Sequence, residues 1–354
     1  MSTCAEGELP AAGAVDLVTG EVQWSVCSAA ELFRDVVGTS DEAVVLSELT
    51  LPGEEVVVRS LSDGAERWRR PVAGQQTAMP IGSATAGGIV LSAVVGDSGG
   101  MGPAGLAGLD ADSGDVVWQL DEQLMVLGQS ETVAVVASAD PVGGRPVVRG
   151  IDRATGAVVW TSDIGFSDDS GVVVARSPAV VWDSTIAVPT GQSLTALDIS
   201  TGAVRWVGPQ TDHPVASEGV VVGTIDNGRM IRALDAFSGE LLWEAPGRAS
   251  YGELLAIGDG IVVVNALDTP ELVAHLLRDG SERWRVDKAG LGEPQLTVGT
   301  TVVTLWEGLL AALSTADGSV LWAAEEPFGS PWMTTVAVVG TTMVVAMNSR
   351  PWAD

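Results

Sequence analysis

The residues from which chemistry could be assembled are few. His213 and His275 are the only histidines in 354 residues, and they share no spacing that would set two ring nitrogens on one metal ion. His275 lies in a strand-like run, Leu272 to Leu277, and is expected half-buried in a sheet; His213 precedes Pro214 and is expected in a loop. Asp168-Asp169 and Asp110-Ala111-Asp112 supply the hard oxygen donors that Ca²⁺ takes, but paired carboxylates in such turn-like surroundings are ordinarily solvated. No phosphate-cradling glycine loop, nucleophile elbow or zinc motif is present. The sequence therefore assigns no catalytic, cofactor-binding or metal-ligating residue.

The two cysteines, Cys4 and Cys27, offer redox chemistry instead. They flank one expected hairpin in an otherwise thiol-free chain, which points to a disulfide and an oxidising compartment. A bridge closing about 24 residues would contribute roughly 3 kcal/mol in the chain-entropy model. Two unpaired buried thiols, or Cys4 as a former lipid-attachment site, are the alternatives. Met1-Ser2-Thr3 is a poor match to the small residues expected before a lipidated cysteine.

Twelve tryptophans, against four phenylalanines and one tyrosine, dominate the aromatic side chains. Four of them, Trp182, Trp306, Trp332 and Trp352, fall outside any repeat, and a carbohydrate site could be built on their faces. The other eight recur with a partner glycine four residues earlier: Gly20/Trp24, Gly64/Trp68, Gly114/Trp118, Gly156/Trp160, Gly202/Trp206, Gly239/Trp243, Gly280/Trp284 and Gly318/Trp322. A position present in every unit of an array ordinarily holds the units together, so these eight are assigned to structure.

The elements that carry them follow from the same repeat. The best copies are Ala196 to Trp206 and Ala233 to Trp243: an apolar run, Asp, two residues, Thr or Ser, Gly, three residues, Trp. Glycine tolerates the positive φ of a tight hairpin. The residue before it is always Thr, Ser or Asp, and Asp16, Asp110, Asp152, Asp198 and Asp235 stand four before it; both can bond free turn amides. Apolar runs such as Ala43 to Leu46, Ile89 to Leu91, Val133 to Val136, Val220 to Val222, Ile261 to Val264 and Val302 to Leu305 supply a preceding strand. With one more strand before each run, a period averaging about 43 residues holds four strands. Ala29 to Val36 is read as at most one short helix, and no long helical pattern occurs. The fold expected is all-β: an eight-bladed β-propeller of four-stranded antiparallel blades, with residues 1–354 as one domain. The chain starts and ends out of phase with the repeat, so strands within about 11–26 and 332–347 are expected to join in one composite closing blade, which removes exposed edges.

Lys plus Arg number 18 and Asp plus Glu 46, for a net charge of −28. Such a surface repels phosphate backbones and excludes nucleic acid as a partner. No apolar run approaches the roughly 18–20 residues of a membrane helix. Met1-Ser2-Thr3-Cys4 reads as a start placed on a domain cut from something upstream, a secretion signal or a membrane anchor. The interval from Gly64 to Gly114 is the longest, and its excess, Gly96 to Gly105, is a glycine-rich loop that could meet a partner.

The unit Ala-Leu-Asp-x-x-Thr-Gly-x-x-x-Trp resembles the tryptophan-docking repeat of the pyrroloquinoline quinone (PQQ) propeller family, from Ala11 to Met347. Ser60, Leu276 and Ser314 depart from it where Asp is expected, at the cost of turn bonds. The resemblance implies one of two classes. Quinoprotein dehydrogenases hold PQQ and Ca²⁺, and many alcohol dehydrogenases among them have a disulfide of adjacent cysteines, which Cys4 and Cys27 cannot form. The non-catalytic class includes the propeller lipoprotein of the outer-membrane barrel-assembly machinery and the sensor halves of some bacterial kinases, and this chain is similar to it in size. The leading expectation is an exported or membrane-anchored bacterial propeller without a cofactor. It would be extracytoplasmic, tethered through a segment outside this chain, and would bind a protein or cell-envelope component as a scaffold or sensor. A PQQ-dependent dehydrogenase and a carbohydrate-binding module are the alternatives.

Overall fold

The computed structural model describes residues 9–28, 32–50, 53–72, 88–94, 105–122, 124–138, 147–164, 179–247, 256–287, 293–306, 309–325 and 334–347. Among these residues the regular structure is all strand, in eight antiparallel sheets, each a blade of an eight-bladed β-propeller.

One sheet joins both ends of the chain: β1 (Leu9–Asp16) and β2 (Val22–Ser28) with β30 (Thr334–Val339) and β31 (Thr342–Met347), in the order β2-β1-β31-β30. Ala14 lies opposite Val344, and Asp16 opposite Thr342. The next sheet is β3 (Leu32–Thr39), β4 (Ala43–Thr50), β5 (Gly53–Ser60) and β6 (Glu66–Val72). A third shows β7 (Ile89–Val94), β8 (Gly105–Asp110) and β9 (Val116–Leu120); the strand expected before β7 falls in 73–87, outside the described residues. Then come β10 (Leu124–Gln129), β11 (Val133–Ser138), β12 (Val147–Asp152) and β13 (Val158–Ser162).

Four further sheets repeat that order. They are β14 (Val180–Trp182) with β15 (Thr185–Pro189), β16 (Ser193–Asp198) and β17 (Val204–Pro209), then β18 (Asp212–Ser217) with β19 (Val220–Ile225), β20 (Met230–Asp235) and β21 (Leu241–Pro246). The last two are β22 (Ala256–Gly258) with β23 (Ile261–Asn265), β24 (Glu271–Leu276) and β25 (Glu282–Asp287), and β26 (Glu293–Val298) with β27 (Thr301–Trp306), β28 (Leu309–Ser314) and β29 (Val320–Glu325).

The helix expected at Ala29 to Val36 is not formed: its described part belongs to β3. The reason lies in register, because β3 slips against β4 between Phe33 and Asp35 and again between Val36 and Gly38. Two bulges break the period-two alternation that would have marked a strand. His213 is corrected likewise: it lies in β18, not in a loop, at a φ of 49° where the ladder slips between Asp212 and Val215.

The chain divides into two units. Met1–Ser138, Ile151–Val158 and Glu326–Asp354 make the first; Ala139–Gly150 and Val159–Glu325 make the second. In the first, Ala12, Ala14, Trp24, Val344 and Ala346 pack with Val44 and Leu46. In the second, Val220, Val222, Ile231 and Trp243 pack with Val262 and Val264. Each such cluster lies between two neighbouring sheets, where apolar faces leave water at about 25 cal/mol per Å².

Candidate interaction surface

Seven of the repeat tryptophans are 7–9% exposed, and each donates its Nε1–H to a backbone carbonyl of the next sheet. In the first unit Trp24 reaches Leu61 at 2.7 Å, Trp68 reaches Ala111 at 2.8 Å and Trp118 reaches Arg153 at 2.6 Å. In the second, Trp160 reaches Ile199 and Trp206 reaches Ala236, both at 3.0 Å; Trp243 reaches Leu277 at 2.7 Å and Trp284 reaches Thr315 at 2.8 Å. Trp322 is half-buried.

Beneath each ring the sheet carries a small residue. Ala14, Gly108, Ala196, Ala233, Ala274 and Ala312 stand opposite Trp24, Trp118, Trp206, Trp243, Trp284 and Trp322; Val58, opposite Trp68, is larger. A methyl at Gly108 would lie 2.3 Å from the Trp118 ring. Above the ring sits the turn glycine of the next sheet: Gly280 has a φ of 70°, and a methyl there would lie 2.6 Å from Trp243. That glycine is therefore required twice, for its backbone angle and for the indole against it.

The turn carboxylates are spent on the turns. Asp198 Oδ1 accepts from the amides and hydroxyls of Ser200 and Thr201 at 2.6–3.0 Å. Asp16, Asp110, Asp152 and Asp235 accept in the same way. The three units without this Asp keep a carboxylate after all, supplied from the position before the glycine. Asp63 accepts from the Ala65 amide at 3.0 Å, Asp279 from Ser281 and Asp317 from Ser319. In two of these units the side chain just before the departing residue, Ser60 or Leu276, also holds the glycine carbonyl: Arg59 donates to Gly64 at 3.2 Å, and His275 Nδ1–H donates to Gly280 at 2.9 Å. These are gains that the departures at Ser60 and Leu276 conceal.

Hydrogen bonds hold the carboxyls below the ordinary aspartate value: chiefly the Thr19 amide for Asp16, the Ser113 amide for Asp110 and the Ala65 amide for Asp63. The Ser200, Ser281 and Ser319 hydroxyls do so for Asp198, Asp279 and Asp317. Burial lowers the pKa of His213 against the pull of Asp212.

One sheet carries an ionic group that sequence reasoning missed. Glu48 of β4 is fully buried and pairs with Arg59 at 3.1 Å and Arg69 at 3.3 Å; Arg69 also meets Glu55 and Glu66, each at 2.7 Å. Its hydrogen bond with Glu66, against the opposing effect of burial, holds Arg69 above the usual arginine range. Arg285 repeats the pattern with Glu271 and Glu282 at 3.0 and 2.8 Å. The signal was the shared string Glu-Arg-Trp-Arg at 66–69 and 282–285.

Among the other residues singled out from sequence, Trp182 stacks on Trp206 at 6.3 Å and is packed against the core beside it. Asp110 is committed to its turn, and His275 lies buried on β24, 6.1 Å from the Trp243 ring. Cys27 lies on β2 opposite Pro10. Cys4, Asp168, Asp169, Trp332, Trp352 and 96–104 of the long loop lie outside the described residues, as does the Trp306 side chain.

What the repeat does not consume are the positions just before the tryptophan on the outermost strand of each sheet. The two residues before the tryptophan are exposed in every sheet but the first, where Val22 is half-buried, and in four sheets both are apolar: Val116-Val117, Val158-Val159, Leu241-Leu242 and Val320-Leu321. In β6 and β25 they are Glu-Arg, and the arginine folds onto a neighbouring carbonyl: Arg67 onto Glu42 and Arg283 onto Ala316. Charged edges discourage pairing with other chains, and apolar ones invite contact. In each sheet the first and third turns lie at one end and are bonded together, as Ala236 N–H to Gly219 and Leu277 N–H to Gly260. Exposed apolar side chains thus sit beside carboxylate-bearing turns, a surface suited to contact with another macromolecule.

Comparison with known proteins places the chain in a family. The profile of the family described as outer membrane protein assembly factor BamB matches residues 82–228 and 226–350. The outer membrane protein assembly factor BamB of Yersinia pestis is 27% identical over 222 residues, 54% of this chain and 54% of that protein. The chain spans about half the length of the curated relatives it matches. Among solved structures, BamB from Moraxella catarrhalis has a TM-score of 0.60 at 15% identity, covering 90% of this chain and 98% of that one. Quinohemoprotein alcohol dehydrogenase from Comamonas testosteroni has a TM-score of 0.58 at 15% identity, covering 94% and 71%. At such identities the two structures share only the fold, which serves an assembly factor in one and an enzyme in the other.

Proposed function

Because this chain belongs to the family described as outer membrane protein assembly factor BamB, we propose that it is a non-catalytic, extracytoplasmic propeller that binds protein partners of the cell envelope as a scaffold. The observation that carries the reading is the division of labour in the repeat. Its tryptophans, glycines and carboxylates hold seams and turns, while the exposed apolar pairs of the outer strands, Leu241-Leu242 among them, take no part in either. Such positions are free to serve recognition.

Five further parts belong to the same proposal. The eight repeat tryptophans are structural. The protein works without a bound cofactor and is tethered to a membrane through a segment outside this chain. Cys4 and Cys27 form a disulfide, supported by the disulfide-bonded state of Cys27, the one cysteine among the described residues. Residues 1–354 act as one domain, supported by the recurrence of one strand order in the sheets of both units.

The test is chemical cross-linking of the protein in intact envelopes of its source organism, with mass spectrometry of the cross-linked residues. The expected result is a small set of envelope proteins attached at outer strands and turns. Cross-links spread evenly over the surface would contradict it. Intact mass under non-reducing and reducing conditions tests the disulfide by a difference of about two hydrogens.

A further inference from the structure

Phe237 is the most exposed large apolar side chain described, at 71%. It stands two residues after the turn Asp235, where the other sheets carry Val18, Ser62, Asp112, Ala154, Ser200, Arg278 and Ala316. The turn beneath it is rigid. Asp235 Oδ1 accepts the Phe237 and Ser238 amides at 3.0 and 2.9 Å, the Ala236 amide bonds Gly219, and the Ala236 carbonyl takes the Trp206 indole N–H. The ring leans on the neighbouring turn, so that a methyl at Gly219 would lie 3.1 Å from it. An aromatic group held out by so many bonds loses little entropy on binding, as an interface anchor should.

Two more exposed apolar side chains, Leu241 and Leu242, follow on β21, which has β20 as its one neighbour in the sheet. Carboxylates flank this run: Glu218 in the turn beside the ring, Asp235 at the start of the turn and Glu240 between it and the leucines, while the Arg278 guanidinium donates to the Glu218 carbonyl. We propose that Phe237, Leu241 and Leu242 form a docking surface for an extended segment of a partner protein in which apolar residues alternate with Lys or Arg. The apolar side chains would meet the ring and the leucines, and the cations would face Glu218 and Glu240. The inference rests on the scaffold reading and names the chemistry of its partner.

The protein's own repeats supply variants that should fold. Phe237→Ser reproduces Ser200 of the preceding sheet, and Leu241→Glu with Leu242→Arg reproduces Glu282-Arg283 of the next. The probes are three synthetic peptides of about ten residues alternating Val/Lys, Val/Glu and Ser/Lys, titrated against the full chain by NMR. The Val/Lys peptide is expected to shift amides of 235–243, with affinity falling at least about tenfold in either variant and falling as salt rises. The other two peptides are expected to bind at least about tenfold more weakly. Equal binding of Val/Lys to protein and variants would overturn the docking surface while leaving the scaffold reading intact, and binding of Val/Glu as tight as Val/Lys would overturn the partner chemistry. No shift by any peptide would overturn the inference, whereas failure of envelope cross-linking alone would count against the scaffold.

Discussion

A methyl group separates two glycines that look alike in sequence. Gly260 and Gly280 have φ values of 72° and 70°, yet a Cβ at Gly260 meets nothing within 4 Å and one at Gly280 would lie 2.6 Å from Trp243. Gly260→Ala should therefore lose about 1–2 kcal/mol, the cost of a left-handed alanine. Gly280→Ala should lose clearly more, because an indole seam must open as well. Urea denaturation of the two variants measures the difference, and equal losses would mean that the seam is loose. Trp243→Ala should cost about 3–5 kcal/mol through the cavity it leaves and the Leu277 carbonyl it abandons. The positions of the tryptophans and glycines were plain in the sequence, since each blade repeats them. The second demand on the glycine was not, because the indole against it comes from the preceding blade, about 37 residues earlier in the case of Gly280.

At the scale of the hairpin, the turns follow two designs with one outcome. Asp198 caps the Ser200 and Thr201 amides before its turn glycine, whereas Asp279 caps the Ser281 amide after its own. Sequence shows the first as a motif and the second as a lapse; only the hydrogen bonds reveal the substitution. Because the folded pKa of each lies below the unfolded value of about 3.9, the ionised turns stabilise the fold above that pH. The contribution is lost as pH falls through the lower, folded values. Unfolding midpoints are expected to fall below about pH 4, and less steeply in Asp279→Asn, which has one fewer such group. An identical pH profile for that variant would contradict the account. The apolar pairs before four of the tryptophans are a feature that the repeat alone did not single out. Hydropathy marks Leu241-Leu242 as core, and only the bulge between Ala233 and Leu234, at the end of a sheet, leaves them in water.

Taken whole, the chain starts and finishes in one sheet, with β1 bonded to β31 along five residue pairs from Ala12 to Asp16. The out-of-phase ends made that sheet legible before any coordinates. The bulged strand β3 was not, because its slips scramble the pattern. Removing residues 330–354 would strip two strands from β1 and β2 and expose Ala12, Ala14 and the face of Val44 and Leu46. The truncated chain is expected to lose cooperative unfolding and bind a hydrophobic dye; a sharp transition near that of the full chain would refute the role of the shared sheet. The fold itself serves assembly factors and quinoprotein enzymes alike, so binding without catalysis is the claim on which the rest depends. Dye-linked turnover of alcohols and sugars, after incubation with PQQ and Ca²⁺, tests it most directly. The account predicts a rate equal to that without protein; turnover that rises with PQQ and saturates at one equivalent per chain would contradict it.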